Sequence, residues 1–171
     1  MTVGEWIVDV EPNCTTIGSK HAICYICGET ASSDIAAKHN LGTNGICIFC
    51  GEELQYIVTN DVIYPFIEID GVLQSTNQEH RSSSSYVITA NTALIISFEY
   101  NVSSERTHDK FYILHNSTQK VSLSGTSNSY TRYTITLVAG ETLTFQYTKD
   151  GITSSGEDCC YIKDLTITIV N

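Results

Sequence analysis

The distribution of cysteine divides this chain more sharply than any other pattern. Five of the seven cysteines, Cys14, Cys24, Cys27, Cys47 and Cys50, lie in the first fifty residues; Cys159 and Cys160 are adjacent near the other end, and none falls between. Within the head, Cys24-Tyr-Ile-Cys27-Gly28 and Cys47-Ile-Phe-Cys50-Gly51 are two copies of one motif, nineteen residues apart. Two cysteines three positions apart reach one ion from a tight turn. The glycine after them lets the backbone take a positive φ and turn its amides toward sulfur. Two such knuckles on neighbouring hairpins close a tetrahedral shell and leave no position for substrate. The spacing is that of a zinc ribbon. The segment from about residue 5 to 53 also has few large apolar side chains, and so short a piece draws its stability from a metal or from disulfides.

The expected zinc ligands are therefore Cys24, Cys27, Cys47 and Cys50. One zinc takes four, and Cys14 and His39 are the alternates; His21 also lies nearby. Disulfide pairing is the rival chemistry and needs an oxidising compartment. A redox-active C-x-x-C is disfavoured, because no βαβ pattern surrounds either knuckle. Cys159 and Cys160 are expected as free thiols. In an extended strand they point to opposite faces, one toward the core and one toward solvent or a partner.

The head resembles a known repeat. Cys14-Thr-Thr-Ile-Gly-Ser-Lys-His-Ala-Ile-Cys24-Tyr-Ile-Cys27-Gly, then Ile-Ala-Ala-Lys-His39, then Gly45-Ile-Cys47-Ile-Phe-Cys50-Gly is similar to a cysteine-rich repeat that runs in tandem through large surface proteins of gut Gram-positive bacteria. The chain departs from that pattern at Ala36, where proline usually stands, and at Lys38, where glycine precedes the histidine. The resemblance covers about forty residues and implies a spacer or stalk module without a catalytic role.

Beyond residue 61 the pattern changes to period two. Residues 94, 96, 98, 100 and 102 are all apolar or aromatic; Tyr133, Ile135 and Leu137, then Leu143, Phe145 and Tyr147, then Leu165, Ile167 and Ile169 repeat the alternation. This is the mark of strands with one buried face. Counting segments 62–69, 85–90, 94–102, 111–115, 119–123, 133–137, 143–147 and 165–169 gives about eight strands, joined by turn sequences such as Ala-Gly140-Glu and Asp150-Gly151. The expected fold is mainly β: a small zinc ribbon over residues 1–55, then an antiparallel β-sandwich of jelly-roll type over 61–171.

The body, too, resembles a family. Ser97-Phe-Glu-Tyr-Asn-Val-Ser-Ser-Glu-Arg-Thr-His-Asp-Lys-Phe111, Ser124-Gly125, Leu137-Val-Ala-Gly140 and the long stretch from Phe145 through Lys149-Asp-Gly and Ser154-Ser-Gly-Glu-Asp158 to Leu165 look like the signature blocks of a bacterial extracellular domain. That domain is similar to MAM-type and carbohydrate-binding jelly rolls, found in adhesins, in exported glycan-active proteins and on phage particles. The signature's aspartate is replaced by Lys163, with Asp164 following it.

The body shows no catalytic pattern. There is no G-x-S-x-G elbow, nothing places an Asp beside a His, and His80, His108 and His115 read as solvated loop or strand-end residues. Acidic loops offer a second metal. Glu105, Asp109, Asp150 and Asp158 are the candidate calcium ligands, with Glu157 and Asp164 close in sequence, since Ca²⁺ takes several hard oxygens from loops. The competing expectation leaves these carboxylates as solvated turn residues or pairs them with Lys149 and Lys163. Eight of the ten tyrosines lie from Tyr64 onward and could stack on sugars, although Tyr100, Tyr133 and Tyr147 fit the inward phase and the single Trp6 lies in the head.

Nine basic against nineteen acidic residues give a formal net charge of −10, which repels phosphate backbones and anionic lipid; nucleic acid and membrane surfaces are thereby excluded as partners. No apolar run is long enough for a spanning helix, and Met-Thr-Val-Gly-Glu-Trp lacks the features of a secretory leader. The function expected is non-enzymatic attachment or display, the head a spacer and the body a binding unit of a bacterial surface adhesin. The partner would be a glycan or protein on a cell or virion surface, and an oligomer is compatible with this role. The alternatives are a structural or decoration protein of a phage virion and a carbohydrate-binding module of a glycan-active enzyme. The location expected is extracellular, within a longer chain, or on a virion.

Overall fold

The computed structural model describes residues 4–35, 37, 39, 46–152 and 154–170. The chain divides into two compact units, Met1–Leu54 and Gln55–Asn171. Among the described residues, regular structure is all strand, and no helix is long and apolar enough to cross a membrane.

The first unit is built on an antiparallel sheet of β1 (Ile7–Val10), β2 (Gly18–Ile23) and β3 (Thr30–Ile35), with β2 central. Gly18 is required where β2 starts: a Cβ there would run into the Val10 carbonyl and the Pro12 ring. This sheet has little of its own to bury. Among its described residues the buried apolar side chains are Ala22, Cys24 and Cys47, while Ile7, Val8, Val10, Ile17 and Ile23 are exposed. At roughly 1.5–3 kcal/mol for each large apolar side chain buried, the described residues of this unit supply too little core to offset their chain entropy.

The second unit is a sandwich of two five-stranded antiparallel sheets. Its strands are β4 (Tyr56–Asn60), β5 (Ile67–Ile69), β6 (Val72–Gln74), β7 (Ser83–Ala90), β8 (Leu94–Ser103), β9 (Lys110–His115), β10 (Thr118–Leu123), β11 (Thr131–Leu137), β12 (Thr142–Thr148) and β13 (Cys159–Ile169). One sheet runs β10-β9-β12-β7-β4, the other β11-β8-β13-β6-β5. The alternation read from β8 is realised in full: Leu94, Ile96, Phe98, Tyr100 and Val102 are buried between the sheets. Across from them lie Ile88, Phe111, Ile113, Leu143, Phe145 and Tyr147 of the facing sheet. Phe98 meets Phe145 edge to face with ring centroids 4.8 Å apart, an arrangement that adds about 0.5–1.5 kcal/mol to the burial itself.

Ten strands replace the eight expected. Residues 62–69 do not form one strand, because Asp61 Oδ1 accepts the N–H groups of Ile63 at 2.9 Å and Tyr64 at 2.8 Å and folds the segment into a turn. Val62 and Ile63 are consequently 95% and 77% exposed despite their apolar character. Strand structure begins at Ile67 and reverses at Asp70-Gly71, where both φ values are positive, 51° and 77°, as a tight two-residue hairpin requires. The sandwich also takes in β4, an edge strand paired with β7.

Candidate functional site

The two cysteine knuckles are locally the same structure. In the first, Cys24 N–H donates to the Glu29 carbonyl and Gly28 N–H to the Cys24 carbonyl, both at 2.9 Å. In the second, Cys47 N–H donates to Glu52 and Gly51 N–H to Cys47, both at 2.8 Å. Gly28 and Gly51 take φ of 73° and 72°, which explains the glycine after each second cysteine.

Their surroundings differ. Cys14, His39, Cys47 and Cys50 bring their ligand atoms within 4.8 Å of one another. His39 Nδ1 lies 3.5 Å from Cys50 Sγ, and its Nε2 lies 3.6 Å from Glu52 Oε2, a carboxylate placed to fix the ring. Asn13 positions Cys14: its Oδ1 accepts the N–H groups of Thr15 and Thr16, both at 2.9 Å, and closes the turn that carries the cysteine. The Cys24 and Cys27 thiols lie outside this group. The set brought together is thus the second knuckle with both alternates, in place of the expected Cys24, Cys27, Cys47 and Cys50. His21 is engaged elsewhere, its Nδ1 2.6 Å from Asp9 Oδ1. Ala36 and Lys38, where the chain departs from the repeat pattern, and Gly45, which belongs to it, lie outside the described residues.

The electrostatics of the group suit a cation. A hydrogen bond with Cys50, with burial and the charge of its neighbours, pushes the Cys14 thiol up to about 11. Burial opposes ionisation of Cys47, but the N–H groups of Cys50 and Phe49, with His39, outweigh it and bring that thiol down to about 6. Cys14 therefore keeps a proton that Cys47 gives up at neutral pH, and a divalent ion bound to both would displace it. Three sulfurs and one imidazole within this reach could hold a metal ion, with all four donors supplied by protein.

The acidic residues of the body separate into two arrangements. Glu105, Asp109 and Asp150 bring carboxylate oxygens within 4.8 Å of one another. Glu105 Oε2 is buried with no hydrogen-bond partner. Asp150 Oδ2 lies 3.1 Å from His108 Nδ1, and Asp109 Oδ1 accepts the Asp150 N–H at 2.8 Å. Asp158 is engaged instead by Lys149, whose Nζ lies 2.7 Å from Asp158 Oδ2 and 3.1 Å from Asp109 Oδ2, with the Lys149 and Asp109 side chains fully buried. Burial opposes charge on both partners, yet their hydrogen bonds prevail: the Asp158 carboxyl is held below its ordinary range and the Lys149 ammonium above its own. Of the other residues considered, Glu157 accepts from the Tyr161 hydroxyl, and Lys163 lies 3.2 Å from Glu99.

Cys159 and Cys160 are both buried and both free, at 6% and 0% exposure. The outward-facing thiol expected from strand alternation is therefore covered; Cys159 lies against the Tyr161 hydroxyl, and burial raises both thiols above their ordinary range.

A cavity of about 290 Å³ opens in the sandwich, lined by Glu68, Gly71, Leu73, Tyr86, Ile162, Asp164 and Leu165. Sequence reading did not find it. Its residues come from four strands and the β5–β6 turn, and the one local signal was the Lys163-Asp164 departure from the signature.

No family model matches the chain, and no curated protein matches it. Among solved structures it is similar to the secreted serine protease VesC from Vibrio cholerae, at 12% identity and a TM-score of 0.58 over 89% of this chain and 33% of that one. The chain thus spans about a third of VesC. It is also similar to TmCBM61 in complex with β-1,4-galactotriose, at 11% identity and a TM-score of 0.37 over 67% of this chain and 88% of that one. A third is CBM35 from Cellvibrio japonicus Abf62, at 12% identity and a TM-score of 0.34 over 68% and 98%. The likeness to VesC at this identity is one of fold.

Proposed function

We propose that the chain is a non-catalytic attachment module of the bacterial cell surface, in which a zinc-clamped head spaces a jelly-roll body that binds glycan. The observation that carries the binding reading is the cavity of about 290 Å³, which combines carboxylate acceptors with an aromatic side chain and apolar walls. Among the described residues, His21, His108 and His115 pair with the carboxylates of Asp9, Asp150 and Glu141, and His39 with Cys50 and Glu52, so these four imidazoles are engaged away from serine and threonine hydroxyls. For the head, the convergence of Cys14, His39, Cys47 and Cys50 supports a structural zinc ion. Its shell would be closed, so the ion would hold the unit together and leave no place for substrate. The orphaned Glu105 Oε2 beside Asp109 and Asp150 supports a calcium ion in the body. The surface setting rests on the resemblance of both halves to bacterial surface modules.

The test uses the full chain, purified under reducing conditions. Elemental analysis should return one zinc per chain, lost in C14S and C47S and retained in C24S. Metal-free protein with oxidised sulfurs would replace the zinc head with a disulfide framework. A glycan array with no binding above background would refute the glycan reading.

A further inference from the structure

The cavity lies where β13 is deformed. Lys163 pairs with Glu99 and Thr166 with Ser97, so Asp164 and Leu165 together oppose Phe98. This is a bulge, a device that re-aims side chains and is concentrated beside functional sites. Asp164 sits in it with φ of 50°, in the left-handed region that a residue with a side chain adopts only under constraint. Glycine would relieve that strain, yet the position carries a carboxylate that lines the cavity.

Glu68 of β5 supplies a second carboxylate to the lining, and Leu73, Ile162 and Leu165 supply apolar surface. Tyr86 of β7 is fixed from behind, stacked on Phe145 at 6.2 Å and tilted against Phe66 at 6.0 Å. Burial first, then the charges of Tyr56 and Glu68, hold its hydroxyl in the protonated form. At Gly71 no atom lies within 4 Å of where a Cβ would stand, so this part of the rim is open.

The two carboxylates are free to accept from a ligand, as is the orphaned Glu105 Oε2 away from the cavity. Elsewhere in the sandwich, Glu99 is held by Arg132 and Lys163, Glu141 by His115 and Asn116, Asp150 by His108, and Asp109 and Asp158 by Lys149. The Glu68 and Asp164 carboxylates, on residues that are both exposed, have no hydrogen bond or ion pair among the described residues.

We propose that this cavity is a monosaccharide subsite for one neutral pyranose, with hydroxyl groups donating to Glu68 and Asp164 and the apolar face of the ring resting on Tyr86, Leu73 and Leu165. The proposal rests on the glycan reading above and names its site and ligand class. A volume of about 290 Å³ stands at the small end of ligand pockets and fits one sugar ring. Carboxylates accept from hydroxyls through charge-assisted bonds, the strong kind. Both lining charges are negative within a chain of net charge −10, so uronates, sialic acids and sulfated sugars are repelled.

The experiment screens the full chain against neutral, amino and acidic glycans, then titrates the best neutral glycan by calorimetry into wild type, Glu68→Gln, Asp164→Asn and, as a control away from the cavity, Lys120→Ala. Amide replacements keep size, and asparagine tolerates the left-handed conformation, so each variant should match wild type in melting temperature. The expected result is affinity reduced roughly tenfold to a hundredfold in E68Q and D164N and unchanged in K120A. Neutral glycan binding that both cavity variants retain would overturn the subsite and leave the glycan reading standing. An empty array would overturn both. Preference for acidic or amino glycans would overturn the ligand class. Calcium alone binding at this site, abolished by E68Q while glycan affinity holds, would overturn the proposal in favour of a cation site.

Discussion

Replacing Lys149 by methionine should be among the most damaging single changes available to the sandwich. The methionine keeps the length and apolar character of the lysine stem but removes the ammonium that lies 2.7 Å from Asp158 and 3.1 Å from Asp109. Two carboxylates, one fully buried and one nearly so, would then face each other without a counter-charge. Breaking a buried pair in this way costs about 3–5 kcal/mol, because the remaining charge is left desolvated. For a unit of roughly 120 residues, unfolding entropy converts this into a fall of about 12–20 °C in melting temperature. Near-ultraviolet dichroism follows the sandwich, since nine of the ten tyrosines lie in Gln55–Asn171; Trp6 fluorescence follows the head separately. K149M/D109N/D158N, which removes all three charges and keeps the shapes, should recover more than half of the loss. The pH dependence follows from the shifts. Asp158, with its folded value lowered, contributes stability above about pH 4 that is lost as pH falls through that lowered value; Lys149, raised, contributes below about pH 10 and loses it as pH rises through its raised value. The gap between wild type and K149M should therefore close toward acid, as the uncompensated carboxyls of K149M, raised by burial and by each other, take up protons. A loss below about 1 kcal/mol, or a triple variant no more stable than K149M, would refute the reasoning.

Phe98→Ala should cost about 3–5 kcal/mol in urea unfolding, since the ring is 1% exposed and bounded by Phe145, Tyr100 and Tyr133. Millimolar calcium should raise the melting temperature of wild type and leave that of Glu105→Gln unmoved; a wild type indifferent to calcium would remove the ion from the body. The zinc and glycan tests above complete the set.

The legibility of the sequence followed the range of the interactions. Period-two alternation announced β8, β11, β12 and the second half of β13, because a strand with one buried face writes its geometry into neighbouring residues. Lys149 was named only as a candidate partner of the acidic loops, yet Leu143, Phe145, Tyr147 and Lys149 are all buried, so the ammonium continues the inward phase just past β12. The apolar pair Val62-Ile63 misled, since one carboxylate at Asp61 decides whether that segment extends or turns. In the head, spacing identified both knuckles, each of which is local. Which remote side chains approach a knuckle depends on the path of the whole chain, and Cys14 and His39 could be named only as alternates. The cavity was least legible, drawing on residues from Glu68 to Leu165.

The burial of Cys159 and Cys160 gives this protein an internal chemical clock. A small alkylating reagent added to native chain meets Cys27 and Cys50 at the surface, while the pair in β13 stays shielded until the sandwich opens. The prompt fraction of labelling counts head sulfurs free of metal, and the slow fraction times the breathing of the jelly roll. One reagent and one mass spectrum thus read two stabilities in a single tube.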